Sequence, residues 1–189
     1  MYGAGPYLAA QALVEMVYVT PQALIYTIIT YTLMRAPHNA GAFFYVLSAV
    51  WLGCMVSFLM MQAIAQALHS ANLVSSARAI LTCLQMLTNG FMQPLPGTAK
   101  AWSAAYMLSP HFYLFQAVAS GLLWQVDTVI EGPDGERITI GGYVKRLYGV
   151  PGSSFPGPHG SLGMLVALGA AFAAISLLCA RLDHARRRC

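Results

Sequence analysis

Charged residues are scarce in this chain of 189 residues, where Lys and Arg number 10 and Asp and Glu number 6. Together they make up 8% of the sequence, whereas a soluble domain carries about 25% to cover its surface. Hydrophobic residues make up 58%, which is far too apolar for an intrinsically disordered chain. The composition therefore excludes both classes and predicts an integral membrane protein with several spans.

Several motifs are also missing. The 4 cysteines have no CxxC spacing, so neither a metal site nor a disulfide framework is expected. Basic residues do not interleave with aromatics in a stripe, which argues against nucleic acid as a partner. The sequence has no phosphate-binding loop, no HExxH and no Ser/His/Asp grouping at membrane depth. We therefore expect that this chain is not an enzyme and holds no cofactor of its own.

The sequence does contain long apolar runs, which are candidates for transmembrane helices. A transmembrane helix needs about 20 mostly apolar residues. Pro21 falls inside the first run, which membrane helices tolerate where neighbours satisfy the freed carbonyl. Arg78 falls in the first turns of the third run, where its long side chain is expected to reach the interface. Four spans are predicted, over residues 7–34, 42–68, 73–92 and 162–180.

The segment 101–126 has no formal charge but contains Pro110 near its middle. Proline cannot continue a helix, so each half is too short to cross a bilayer. Aromatic residues throughout the segment are typical of a membrane interface. Hydropathy alone leaves two structures open, a re-entrant or interfacial helical pair and a full crossing.

A polar loop over 125–160 follows, with four of the acidic residues. Its sequence EGPDGER predicts a hairpin turn, and 143–148 predicts a short amphipathic helix. The last span ends in a basic cluster at 181–188, which predicts a cytoplasmic C-terminus. With four crossings, the loop 125–160 is then extracellular.

Several runs resemble one known family. The sequence PYLAAQALVEMVY at 6–18 resembles a P-Y-x-x-A-Q-x-x-x-E-x-P-Y pattern, with valine at 17 in place of proline. The sequence NGFM at 89–92 and the later Trp102, Tyr106 and Ser109-Pro110 are similar to an S-G-F-x-x-P…W…Y…S-P run. The chain resembles the C-terminal part of the membrane domain of subfamily G ABC transporters, the white/pleiotropic-drug-resistance type with an ABC-type-2 permease fold.

This resemblance implies an all-α polytopic membrane protein with four transmembrane helices, a re-entrant or interfacial helical segment at 101–126 and one extracellular loop at 125–160. It implies the permease portion of an ATP-driven exporter of hydrophobic or amphipathic compounds, working by alternating access in the plasma membrane or an internal membrane. The nucleotide-binding domain, which would hold ATP and Mg, is expected on another segment or polypeptide. The other permease half is expected in a dimer or pseudo-dimer. A non-transporting truncated permease, or an assembly partner of full-length relatives, is the alternative.

Glu15 is a carboxylate at the edge of an apolar stretch. By resemblance, it would make a polar contact near the cytoplasmic entrance and couple the membrane helices to the ATPase. Alternatively, it is an interfacial acid in contact with headgroup water, since acids within the membrane are costly.

A substrate route is the second candidate site. In the resembling family, bulky apolar residues at the end of the fifth helix narrow the path from cavity to exit. Met86 and Cys83 lie about one and two turns before Asn89 and would face the same cavity, where flexible methionines suit varied apolar ligands. Ordinary helix packing, or a hydrogen bond from Asn89 to a neighbouring helix, is the alternative. The predicted route consists of Cys83, Met86, Asn89, Phe91 and Met92.

Overall fold

The computed structural model of the chain describes residues 4–34, 39–68, 70–92, 100–123, 128–131, 136–148 and 158–186. The predicted turn at 35–38, much of the loop 125–160 and the last basic residues at 187–188 lie outside the described residues. The elements are helices α1 (Ala4–Leu33), α2 (Ala40–Ala67), α3 (Ala71–Leu87), α4 (Lys100–Leu108) and α5 (Pro110–Leu123), strands β1 (Val129–Glu131) and β2 (Arg137–Thr139), and helices α6 (Ile140–Tyr148) and α7 (Pro158–Arg186). The chain is mostly helical, as its composition predicts.

Three of the helices in the described ranges are long and apolar enough to cross a membrane. Their apolar portions are Gly5–Leu33, Ala40–Ala67 and Gly160–Leu182. Helix α3 has 17 residues and is not among them. At about 1.5 Å per residue it is about 26 Å long, slightly less than the ~30 Å hydrocarbon core. A fourth membrane crossing by α3 is therefore a proposal.

Helix α2 forms the centre of the bundle. It begins at Ala40 because the Asn39 side-chain oxygen accepts the Gly41 N–H at 2.9 Å and caps the first turn. One buried core joins α2 to α1 and α5 through Ala23, Val50 and Leu122. A second core joins α2 to α4, α5 and α7, and consists of Val56, Tyr106, Phe112, Tyr113 and Leu165. Because α2 contributes to both cores, it positions α1, α4, α5 and α7 around the candidate site.

Helix α1 continues through Pro21 without a break. The preceding Thr20 hydroxyl donates to the Met16 carbonyl at 2.6 Å and accepts the Trp51 indole N–H at 3.1 Å. This hydrogen bond ties α1 to α2 beside the proline. Large apolar side chains elsewhere on α1, including Val17 and Ile25, are exposed, as expected of a surface that lies against lipid rather than water.

The segment that follows α3 does break at Pro110, as the sequence predicts. Helix α4 ends at Leu108 and α5 begins at Pro110, with Ser109 as the joint. The Ser109 N–H donates to the Tyr106 carbonyl at 3.1 Å, and the Phe112 N–H donates to the Ser109 carbonyl at 3.2 Å. These tight bonds satisfy backbone groups at the joint, so the chain changes direction while it is buried.

Two paired strands and the short helix predicted in the loop are present, while the predicted turn at 132–135 lies outside the described residues. Strands β1 and β2 pair antiparallel, with Val129 opposite Thr139 and Glu131 opposite Arg137. Helix α6 begins directly after β2. Arg146 on α6 forms an exposed ion pair with Glu136 at 3.4 Å, and such pairs contribute little to stability.

Candidate functional site

An apolar pocket of about 490 Å³ lies where α2, α3, α4 and α7 meet. Aliphatic and aromatic side chains form most of its wall. Its large apolar lining residues include Met60, Ile64, Leu84, Leu108, Phe172 and Ile175. The size and lining are those of a site for a small or medium-sized hydrophobic molecule.

Three polar side chains also line this pocket. Gln85 is buried and its amide donates to the Met60 sulfur at 3.1 Å. The Thr88 hydroxyl donates to the Leu84 carbonyl within α3 at 2.9 Å. The Ser109 hydroxyl is buried and has no hydrogen-bond partner among the described residues. Ser109 therefore borders the pocket with a buried hydroxyl that is unsatisfied among the described residues.

The predicted route residues on α3 lie elsewhere. Cys83 and Met86 do not line the apolar pocket, and both side chains are exposed. The residues of α3 that line it are Leu81, Leu84, Gln85 and Thr88. Helix α3 therefore has one face toward the pocket and another, with Cys83 and Met86, that is left uncovered.

Asn89 ends this helix rather than contacting a neighbouring one. Its side-chain oxygen accepts the backbone N–H groups of Phe91 at 2.9 Å and Met92 at 3.2 Å. Gly90 follows with φ of 83°, a left-handed conformation that favours glycine. Phe91 and Met92 are exposed, and the Phe91 ring meets Phe115 edge-on with the ring centroids 5.9 Å apart. Within the described residues, the five predicted route residues thus follow the outer side and the end of α3.

Glu15 lies in a second pocket, of about 600 Å³, between α1, α2 and α3. This polar pocket also receives Arg78 from α3 and the amide side chains of Gln11, Gln62 and Gln66. The Gln62 amide donates to the Gln11 side-chain oxygen at 2.9 Å, and the Gln11 amide donates to the Tyr7 hydroxyl at 2.9 Å. A chain of hydrogen bonds therefore connects α2 to the first turns of α1.

Comparison with known proteins shows which family this chain belongs to. The family model described as ABC-2 type transporter matches residues 1–123. The chain belongs to the ABC-2 type transporter family. The match extends from α1 to the end of α5 and so includes all of α3 and the polar pocket.

Curated relatives are ABC transporters of the G family, as the sequence motifs indicate. The chain is 28% identical over 177 residues to ABC transporter G family member 40 of Arabidopsis thaliana, covering 91% of this chain and 11% of that protein. It is 32% identical over 140 residues to ABC transporter G family member 51 of Oryza sativa subsp. japonica, covering 70% and 9%. It is 24% identical over 169 residues to Pleiotropic drug resistance protein 1 of Nicotiana tabacum, covering 89% and 11%. The chain spans about a tenth of the length of these relatives.

Neither pocket of this ABC-2 membrane domain was predicted from the sequence. Ser109-Pro110 was identified there only as part of a motif, and Arg78 only as a residue that reaches the interface. Gln62 and Gln85 were signals that could have been used, because an amide inside an apolar helix needs a polar partner. Which helix supplies that partner depends on packing, and the sequence alone does not give it.

Proposed function

We propose that this chain is part of the membrane domain of an ATP-driven exporter of hydrophobic or amphipathic compounds that works by alternating access. The observation that carries the proposal is the ABC-2 type match over residues 1–123. The apolar pocket supports a hydrophobic substrate class, since its wall offers few polar groups. ATP and Mg would be bound by a nucleotide-binding domain in cis or in trans.

The proposed topology has four crossings, α1, α2, α3 and α7. Helix α3, with 17 residues, would be a short span, which a bilayer accommodates by thinning locally. Helices α4 and α5, with 9 and 14 residues, are about 14 and 21 Å long and suit a re-entrant pair. The hairpin and α6 would be extracellular and the C-terminus cytoplasmic.

The uncovered face of α3 supports a second permease half at this position. Its apolar side chains, Ile80 and Met86 among them, contact no described helix that would bury them. Two such faces across a two-fold axis, in a dimer or a pseudo-dimer, would enclose a central cavity. The route from Cys83 to Met92 would then line that cavity, separate from the apolar pocket within one half.

The first test asks which protein contains this sequence. An antibody against residues 181–189 is applied to native membranes on an immunoblot. A band far above the 20.3 kDa of this chain supports a complete exporter. A band at 20.3 kDa, with no nucleotide-binding partner recovered by crosslinking, contradicts the transport proposal and favours a truncated permease or assembly partner.

The second test measures transport by the complete protein. Inside-out vesicles should take up the dye rhodamine 6G with ATP but not with a non-hydrolysable analogue. Met86→Trp and Met92→Trp should reduce uptake several-fold because a larger ring narrows the proposed route. Ile25→Trp on the exposed surface of α1 is the matched control and should leave uptake unchanged. Equal effects of all three substitutions would contradict the route.

A further inference from the structure

The polar pocket contains two opposite charges that do not pair with each other. Glu15 on α1 and Arg78 on α3 both line it. Within the described part of the chain, the ion pair present joins Arg146 and Glu136, and neither Glu15 nor Arg78 takes part in one. Arg78 is exposed and Glu15 is half-buried, so both charges are accessible to a ligand that carries the two opposite charges.

The position of the pocket fits the level of lipid headgroups. Gln66 is next to the last residue of α2, and Arg78 is in the second turn of α3. The pocket thus lies at the end of the bundle where α2 finishes and α3 starts. At this depth, phosphate and ammonium groups of the bilayer are within reach of long side chains.

The remaining wall suits an amphipathic molecule. Val14, Phe58 and Met61 supply apolar surface beside the charges. On the polar side, Gln62 is more than nine-tenths buried and is held by Gln11. Tyr7 and Val14 are both 57% exposed, so the pocket opens toward its surroundings and a lipid could enter laterally.

We propose that this pocket binds the headgroup of a zwitterionic phospholipid, with Arg78 contacting the phosphate and Glu15 the ammonium group. The guanidinium suits phosphate oxygens, which it can contact in a bidentate manner. The acyl chains would lie along the apolar wall. This binding does not depend on the proposed export, and it requires only that the pocket lies at the membrane interface.

The test is a lipid competition on the complete protein, purified in detergent and read by native mass spectrometry. The probes are dioleoyl-phosphatidylcholine, which carries both charges, and dioleoyl-phosphatidylglycerol, which lacks the ammonium. Variants are Glu15→Gln, Arg78→Gln and the matched control Arg181→Gln, whose side chain is exposed on α7. The ratio of the two lipids is measured within each sample, so a partial loss of folded protein does not change it.

The unmodified protein should retain phosphatidylcholine in preference to phosphatidylglycerol. Glu15→Gln should reduce that preference several-fold, because the electrostatic attraction between the carboxylate and the quaternary ammonium of the choline group is lost. Arg78→Gln should lower retention of both lipids, and Arg181→Gln should change neither value. An unchanged ratio in Glu15→Gln, or equal losses in Arg78→Gln and Arg181→Gln, would overturn the proposal. So would displacement of the lipid by water-soluble glycerophosphocholine at equal concentration, because the ligand would then be a free zwitterion.

Discussion

Two buried serines on the α4–α5 segment, Ser109 and Ser120, differ in their hydrogen bonds. The Ser120 hydroxyl donates to the Ala117 carbonyl at 2.9 Å and also interacts with Tyr45. The Ser109 hydroxyl is buried beside the apolar pocket and has no partner among the described residues. The same residue type therefore forms stabilising hydrogen bonds at one position and is an unsatisfied buried polar group at the other.

We expect Ser109→Ala to leave the free energy of unfolding unchanged or to raise it by about 1 kcal/mol, because a buried hydroxyl without a partner is removed. Ser120→Ala is the matched control and should lower it by about 0.5–1.5 kcal/mol, since its hydrogen bonds are lost. Thermal unfolding in detergent, followed by circular dichroism, measures both. A loss in Ser109→Ala as large as in Ser120→Ala would mean that an occupant already holds the Ser109 hydroxyl.

The sequence predicted a third span that ends at residue 92, whereas α3 ends at Leu87, just before Asn89 and Gly90. Apolar residues continue past the helix end, so hydropathy overestimated its length. The direction of Asn89 was not predictable, because its amide can bond to its own turn as easily as to another helix. Similarly, Glu15 and Arg78 are far apart in sequence, and only the packing of α1, α2 and α3 brings them into one pocket.

At the scale of elements, close approach of α2 and α5 depends on a missing side chain. A Cβ atom at Gly121 would lie 2.7 Å from the Val46 side chain and 2.9 Å from the Tyr45 ring. Small residues let membrane helices pack closely in this way. Proline and capping residues in the sequence indicate where these helices begin and break. How the helices pack against one another depends on contacts between residues that are distant in sequence.

Gly121→Ala should therefore lower the free energy of unfolding by about 1–3 kcal/mol, because the added methyl group overpacks the α2–α5 contact. Gly163→Ala on α7 is the matched control, since a Cβ there meets nothing within 4 Å. It should be neutral or stabilise the helix by up to about 1 kcal/mol. The same thermal unfolding measurement applies. If both variants unfold alike, α5 does not pack against α2 as closely as described.

At the scale of the whole molecule, the uncovered face of α3 predicts contact with a second permease half. If two α3 helices meet at a two-fold axis, Cys83 of one copy lies near Cys83 of the other. In a variant whose other cysteines are serine, mild oxidation should give a crosslinked dimer on a non-reducing gel. The same variant with Cys83→Ser should remain uncrosslinked. Efficient maleimide labelling of Cys83 without any crosslink would contradict a homodimer across this face.

The number of crossings can be measured independently. A glycosylation acceptor inserted between β1 and β2 should be glycosylated, because this hairpin is proposed to be extracellular. An acceptor placed ahead of Ala4 should stay unmodified if α1, α2, α3 and α7 all cross. Glycosylation at both positions would instead mean an odd number of crossings, because either α3 does not cross or the segment 101–126 crosses fully, and the proposed topology would be wrong. Treatment with a glycosidase confirms that a mass shift is due to the glycan.

The contact between α2 and α7 has a consequence for synthesis in the cell. Helix α2 meets α7 through the core that contains Val56 and Leu165, yet α7 is made after every other helix described here. Until then, the α2 surface that belongs against α7 must rest in lipid or against the insertion machinery. Membrane helices can wait in this way because each is stable on its own before it associates. If translation stopped before α7, the product would be an inserted bundle that lacks α7. The surface of α2 that normally packs against α7 would then stay exposed, where membrane quality control could recognise it.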